Sequence, residues 1–284
     1  MGRRDRKFLR KKKEVTVDLG YEKTYQIETP AGCGLLLGKV HGIGRRSKQQ
    51  DSFGVSELKE ENIRNNGILA IVADGMGGLS DGEKASMAAT ISCLNYFETY
   101  VAEKKEINAD VLVSMAENAN VEVKEVLGES DGSCGSTLIA AYVKDKRLFW
   151  LSIGDSHIYL YRDGELTQIN KDHNYAAALQ EKVEAGELTQ EEALCDPQRK
   201  ALTSYIGIIQ LEKIDYNEEA LTLLEGDRIL LVSDGIYNTL TDEEIIESMQ
   251  MPAGRSMMHL GMQVEGKRKK NQDNYTALLI EIEE

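Results

Sequence analysis

The sequence predicts an α+β fold in which mainly antiparallel sheets carry helices grouped on their outer faces. Three observations support this class: short apolar segments bounded by turn residues, two long segments with helical periodicity, and the order of these elements. The order is strands, two helices, a run of strands, further helices and a final strand. A regular alternation of strand and helix would instead indicate a parallel sheet.

The predicted strands are segments rich in Val, Ile, Leu and aromatic residues, with Gly, Asp or Asn at their ends. They cover residues 34–40, 68–73, 137–143, 148–153, 158–161, 228–233 and 275–282. Arg162-Asp163-Gly164-Glu165 predicts a tight hairpin, because Asp-Gly supplies the positive φ angles of such turns. A further strand is expected within residues 15–27.

The helices are predicted from capping signals and apolar periodicity. The first opens at Ser80-Asp81-Gly82-Glu83 with capping-box spacing and then places apolar residues on one face. The second covers residues 110–127. Two later helices begin at Thr189 and Thr241, each followed three residues later by Glu.

Charge divides the chain into a basic extension and an acidic body. The 284 residues carry a net charge of −14, yet residues 1–13 contain eight Arg and Lys against Asp5. We therefore expect residues 1–29 to be a basic, partly disordered extension and residues 30–284 to be one domain. An acidic body is a poor general binder of nucleic acid, whereas the basic extension could contact an anionic membrane surface, RNA or an acidic partner.

The cysteines and histidines exclude the common zinc and disulfide patterns. The four cysteines form no CxxC pair and the four histidines no HExxH. Metal ligands in this chain would thus be oxygen atoms, which favours Mg²⁺ or Mn²⁺. No apolar segment approaches the roughly 20 residues of a membrane span, and no apolar stretch follows the basic N-terminus as in a secretory signal. The expected location is the cytoplasm.

Five aspartates share one local setting, beside Gly, Ser or Asn where a predicted strand starts or ends. They are Asp51, Asp74, Asp155, Asp234 and Asp273. Carboxylates brought together without partners repel one another, and bound cations remove that penalty. Asp-Gly pairs also form plain turns. Spacing alone leaves both readings open.

Short motifs surround these aspartates. In chain order they are Gly44-Arg45-Arg46-Ser47-Lys48-Gln49-Gln50-Asp51-Ser52, Asp74-Gly75-Met76-Gly77-Gly78, Gly135-Ser136-Thr137-Leu138, Gly154-Asp155-Ser156, Asp196-Pro197-Gln198-Arg199, Ser233-Asp234-Gly235 and Asp273-Asn274. In residue identity and in order they resemble the motifs of bacterial PP2C-type, metal-dependent protein serine/threonine phosphatases. The resemblance covers roughly residues 34–282.

This resemblance implies a four-layer α/β/β/α sandwich of two mainly antiparallel sheets flanked by helix pairs. It also implies hydrolysis of phosphoserine and phosphothreonine in proteins, by a water activated between two Mn²⁺ or Mg²⁺ ions. The partners would be phosphorylated proteins that are substrates of Ser/Thr kinases. Residues 30–284 would then form the phosphatase domain.

The resemblance assigns a role to each matched position. Asp74 would bridge two metals, with the Gly75 carbonyl as a further ligand; Asp234 and Asp273 would hold one metal; Asp51 would complete the centre and take part in catalysis; Asp155 would belong to a weaker third-metal site; Arg46 would bind the substrate phosphate.

Some positions depart from the family pattern. Gln49 stands where Asn is frequent, Leu79 where many members have His, and His157 where Arg usually follows Gly-Asp-Ser. None of these changes removes a matched metal ligand. The alternative is a non-catalytic module of the same fold that acts in binding or regulation, and the presence of the metal aspartates weighs against it.

Overall fold

The computed structural model describes residues 24–77, 81–128 and 134–283. The strands are β1 Thr24–Gly32, β2 Leu35–Gly42, β3 Asp51–Val55, β4 Ile68–Met76, β5 Gly135–Ser136, β6 Leu138–Lys144, β7 Arg147–Ile153, β8 His157–Arg162, β9 Glu165–Gln168, β10 Asp215–Tyr216, β11 Leu221–Thr222, β12 Arg228–Val232 and β13 Tyr275–Ile282. The helices are α1 Glu60–Asn66, α2 Asp81–Ala102, α3 Ala109–Leu127, α4 Tyr175–Glu184, α5 Gln190–Cys195, α6 Asp234–Tyr237, α7 Asp242–Met249 and α8 Ala253–Gly266.

Two antiparallel sheets pack face to face. The first has the strand order β1-β2-β13-β12-β8-β9, and the second has the order β10-β7-β6-β4-β3 with β11 on β7 and β5 on β4. Helices α2 and α3 cover the outer face of the second sheet, while α7 and α8 cover the first. The predicted α+β class and four-layer sandwich are confirmed.

Three buried clusters fill the spaces between the four layers. Strand β4 contributes side chains to two of these clusters. Ile68, Ala70 and Val72 face the other sheet, whereas Leu69 and Ile71 face α2 and α3. Because both faces of this strand are buried, its sequence is continuously apolar rather than alternating. Strand β12 likewise divides its side chains between the inter-sheet core and the α7–α8 layer.

Local signals place several elements correctly. Arg162 pairs with Glu165 across the β8–β9 turn, and Asp163 and Gly164 have φ angles of 53° and 88°. Capping boxes at Thr189 and Thr241 begin α5 and α7. Ser80 of the first predicted capping box lies outside the described residues, as do Gly78 and Leu79.

A strand lies across residues 29 and 30, between which the sequence predicts the start of the domain. Strand β1 spans Thr24–Gly32 and pairs with β2, so the expected boundary at residues 29 and 30 falls inside a strand. This strand is formed by hairpin pairing with β2, the next strand along the chain, which charge composition does not report. The basic residues 1–13 lie outside the described part of the chain. Within that part, no helix is long and apolar enough to cross a membrane.

Candidate metal centre

Antiparallel pairing brings Asp51 and Asp74 to the same edge of the second sheet. Asp51 opens β3, Asp74 lies near the end of β4, and the two residues are direct partners in the register. Gly75 follows, and its N–H donates to the Gln50 carbonyl at 3.0 Å. A Cβ on Gly75 would lie 2.1 Å from the Gly82 carbonyl oxygen, so only glycine allows this close approach.

Asp234 and Asp273 meet at the corresponding edge of the first sheet. Asp234 begins α6 just after β12, and Asp273 lies just before β13, the antiparallel neighbour of β12. The two segments touch closely, since a Cβ on Gly235 would lie 1.9 Å from the Asn274 carbonyl oxygen. The end of one strand and the start of the next thus place both carboxylates at one end of the sheet.

Two hydroxyl groups join the two edges. Ser233 Oγ donates to Asp51 Oδ2 at 2.7 Å, and Thr276 Oγ1 donates to the same oxygen at 2.6 Å. Ser233 follows β12 and Thr276 lies in β13, whereas Asp51 belongs to the other sheet. The Asp51–Asp74 pair and the Asp234–Asp273 pair therefore share one end of the sandwich.

Asp155 lies beside this group, in the turn between β7 and β8. Tyr237 Oη donates to its carbonyl oxygen at 2.8 Å, which ties the turn to α6. Thr137 links the same turn to β4, because its Oγ1 lies 2.8 Å from Ser156 Oγ and accepts the Asp74 N–H at 2.9 Å. All five aspartates singled out from the sequence consequently lie around one end of the fold.

Burial and mutual repulsion raise the pKa values of these carboxyls. Burial raises the pKa of Asp51 to about 7, with contributions from the charges of Asp234 and Asp273. The pKa of Asp74 is raised well above its usual value by burial and then by the charge of Asp51. Burial and Asp234 raise the pKa of Asp155 to about 6. The pKa of Asp234 is also raised, by burial and by Asp273.

The donor chemistry of this group fits hard divalent cations. Carboxylate and carbonyl oxygens are the ligands that Mg²⁺ and Mn²⁺ prefer, and a cation would relieve the repulsion that raises these pKa values. Across the described ranges, no three His, Cys, Asp or Glu side chains converge as a ready-made metal cage. The aspartates instead repel one another through their charges. They also accept hydrogen bonds from nearby donors, such as Asn238 Nδ2, which donates to Asp234 at 3.1 Å.

Arg46 lies at the rim of this group, and its guanidinium pairs with Asp273 at 2.6 Å. Its side chain is 52% exposed. The loop that carries it is held by Asn274, whose Nδ2 donates to the carbonyls of Ile43 and Lys48 at 2.9 and 3.0 Å. Asn274 Oδ1 accepts the Gln50 N–H at 2.8 Å. Both ends of the Arg46 loop are thus fixed by one buried side chain.

The structure adds three residues to which the sequence analysis assigns no role in the site. Ser233, Thr276 and Asn274 bond directly to Asp51 or to the Arg46 loop. For Thr276 the sequence carries a signal, since a hydroxyl residue within the apolar segment 275–282 is buried with its strand and then needs a hydrogen-bond partner.

His157, which stands where the family usually has Arg, makes specific side-chain contacts. Its ring stacks on Tyr237 with centroids 3.7 Å apart, and its Nε2 lies 3.1 Å from Asp172 Oδ1. Because Tyr237 also donates to the Asp155 carbonyl, the His157 ring lies close to the Asp155 turn. Gln49, the other notable departure, is buried, and its Oε1 accepts the Asp51 N–H at 3.1 Å.

Comparison with known proteins identifies the class to which this fold and site belong. Residues 38–271 match the family described as Protein phosphatase 2C. The chain belongs to this family.

Individual relatives are bacterial serine/threonine phosphatases. The chain is 30% identical over 246 residues to the serine/threonine protein phosphatase PstP of Mycobacterium tuberculosis, covering 87% of this chain and 46% of PstP. The chain thus spans about half the length of that relative.

Solved structures of such enzymes have the same fold. The S. agalactiae serine/threonine phosphatase superposes with a TM-score of 0.73 at 27% identity, covering 88% of this chain and all of the other. The catalytic domain of PstP in complex with two manganese ions superposes with a TM-score of 0.67 at 28% identity, covering 88% of this chain and 99% of that one.

Proposed function

We propose that this chain hydrolyses phosphoserine and phosphothreonine in proteins, in a reaction that depends on divalent cations. The observation that carries the proposal is the meeting of two aspartate pairs from two sheets at one end of the sandwich, joined through Asp51 Oδ2. The manganese-bound PstP domain of the same fold supports it. Two bound Mn²⁺ or Mg²⁺ ions would neutralise phosphate charge and make a shared water acidic enough to attack.

The residues of the chain take distinct roles in this proposal. Asp74 and the Gly75 carbonyl would hold both cations between the sheets, because they lie on the strand that faces Asp51. Asp234 and Asp273 would hold one cation, and Asp51 would complete the centre directly or through water. Asp155 would serve a weaker third site from its adjoining turn.

Arg46 would bind and orient the substrate phosphate. Its guanidinium is exposed at the rim of the centre and already bonds a carboxylate there. The planar fork of Arg matches two phosphate oxygens, which the point charge of Lys does not. Because Asn274 fixes the loop at both ends, little backbone freedom would be lost when Arg46 engages phosphate.

The proposed substrates are phosphorylated proteins made by Ser/Thr kinases. A cytoplasmic location stays a prediction of the sequence, as does contact of the basic N-terminal extension with anionic surfaces or acidic partners. The assay that tests the activity also compares Mn²⁺ with Mg²⁺.

The test compares wild type with Asp234→Asn on p-nitrophenyl phosphate and a phosphothreonine peptide, in Mn²⁺, in Mg²⁺ and in EDTA. Cation charge stabilises the transition state by several kcal/mol, so we expect turnover to require metal and to fall at least about 100-fold in the variant. Asp163→Asn, the same change in the exposed β8–β9 turn, is the control and should keep wild-type turnover. No turnover from folded wild type with either metal would instead favour the non-catalytic module.

A further inference from the structure

One oxygen of the Asp51 carboxylate is held by two buried hydroxyl groups. Thr276 Oγ1 and Ser233 Oγ donate to Oδ2 at 2.6 and 2.7 Å. Oδ1 receives no hydrogen bond from the residues that the structure describes. The two oxygens of this carboxylate consequently differ, because one is fixed by protein donors and the other is left for a different ligand.

A buried histidine, His41, contacts one of these two hydroxyl groups. His41 Nδ1 lies 2.9 Å from Thr276 Oγ1, and Ser233 Oγ accepts the Thr276 N–H at 2.9 Å. A hydroxyl has one proton, and an ionised carboxylate can only accept. When Asp51 is ionised, as it would be beside a bound cation, Thr276 gives its proton to Asp51 and accepts one from His41, so that Nδ1 is the protonated ring nitrogen in that state.

The fold holds His41 rigidly in this place. His41 on β2 and Thr276 on β13 are direct partners across the two strands, and their exposed fractions are 1% and 0%. The imidazole also meets the ring of Phe53 edge-on, with centroids 5.1 Å apart. Phe53 lies two residues after Asp51 on β3. The first sheet thus contacts the Asp51 strand both by ring packing and through the hydroxyl.

We propose that Thr276 is a positioning residue for the cation centre, that it fixes the plane of the Asp51 carboxylate, and that His41 acts through it. This inference rests on the proposed function. Two donors on Oδ2 stop rotation of the carboxyl group, so Oδ1 is presented in one direction. Donors behind a metal-binding carboxylate typically change metal affinity about 10- to 100-fold.

The test measures Mn²⁺ binding to the full chain by electron paramagnetic resonance of the free ion. Thr276→Val keeps the shape of the side chain and removes the hydroxyl, so we expect its Kd for Mn²⁺ to rise about 10- to 100-fold. Thr276→Ser restores the hydroxyl and should stay close to wild type. Thr90→Val is the matched control, because Thr90 is fully buried and, among the described residues, its hydroxyl bonds only to the Ser86 carbonyl of its own helix, at 2.9 Å.

A second readout separates positioning from a merely structural role. A structural role would lower the unfolding temperature of metal-free Thr276→Val and leave the Mn²⁺ Kd of the folded protein unchanged. Positioning would raise the Mn²⁺ concentration needed for half-maximal turnover while kcat at saturating Mn²⁺ stays near wild type. Recovery of both values in Thr276→Ser would assign the effect to the hydroxyl.

His41→Phe provides the test if Thr276→Val fails to fold. It keeps an aromatic ring against Phe53 and removes the Nδ1 donor, so loss of one hydrogen bond should raise the Mn²⁺ Kd about fivefold. Unchanged Mn²⁺ affinity in the folded variants, with tight binding by wild type, would overturn this inference alone. Wild type that binds no Mn²⁺ would overturn the proposed function and the inference with it.

Discussion

Replacing Asp51 with Asn should stabilise the metal-free protein while weakening its binding of divalent cations. Asp51 is 4% exposed and lies among the charges of Asp74, Asp234 and Asp273. Asn has nearly the same shape, and its amide oxygen can accept the bonds from Ser233 and Thr276. The substitution therefore removes a charge with little change in packing.

The size of the expected stabilisation follows from the raised pKa of Asp51. Burial raises the pKa of Asp51 from 3.8 to about 7, and at 1.36 kcal/mol per unit this corresponds to about 4 kcal/mol. The folded protein holds this proton more tightly than the unfolded chain does. The free energy of unfolding of wild type thus falls as the pH rises from 3.8 to about 7. The advantage of the variant should be about 4 kcal/mol above pH 7 and less than about 2 kcal/mol at pH 5.

The assay is urea unfolding in EDTA at pH 5, 6, 7 and 8 for wild type, Asp51→Asn and the control Asp163→Asn. The control changes an exposed turn residue at which Asn also tolerates a positive φ, so it should differ from wild type by less than about 0.5 kcal/mol at every pH. Saturating Mn²⁺ should stabilise wild type, by about 2.7 kcal/mol at 100 times its Kd, and Asp51→Asn much less.

Two results would refute this reasoning. An Asp51→Asn variant that is less stable than wild type at pH 8 in EDTA would mean that the carboxylate is not electrostatically strained. A stability difference that does not grow with pH would show that the effect arises from packing rather than from ionisation.

Two further predictions concern arginines. Arg162 bonds both oxygens of Asp227 at 2.8 and 2.5 Å, and the Asp227 side chain is 1% exposed. Arg162→Ala should therefore lower the unfolding free energy by about 3 kcal/mol in urea, because it leaves a buried charge unpaired; a loss below about 1 kcal/mol would contradict this. Arg46→Lys should lower kcat/KM for a phosphothreonine peptide about 10-fold, through loss of the two-oxygen contact, and equal kcat/KM values would remove Arg46 from phosphate binding.

Local sequence rules were sufficient for much of the framework. Apolar segments such as 228–233 and 275–282 correspond to β12 and β13, because burial on both faces demands continuous hydrophobicity. Asp163-Gly164 and Thr241 specified a turn and a helix start through backbone φ angles and side-chain caps that act within four residues.

The strands that local rules missed are short or polar. Strand β3 begins with Asp51-Ser52, which the sequence presents only as part of a motif, although the pairing of β3 with β4 places Asp51 opposite Asp74. The strand expected within residues 15–27 lies mostly outside the described residues and overlaps β1 at residues 24–27, and two-residue strands such as β5 carry no periodicity at all. Each of them is defined by its pairing partner rather than by its own composition.

The sequence by itself determined the fold class, the edges at which the aspartates stand and the order of the motifs that identify the family. Only the tertiary structure decided that Asp51, on the second sheet, accepts hydrogen bonds from residues of the first sheet. It also decided that Thr276 contacts Asp51 and that His41 contacts Thr276. Asp51 and Thr276 are 225 residues apart in the chain. Hydrogen bonds at such separation arise from the packing of one sheet on the other, and no periodicity, cap or turn signal within a single segment reports them.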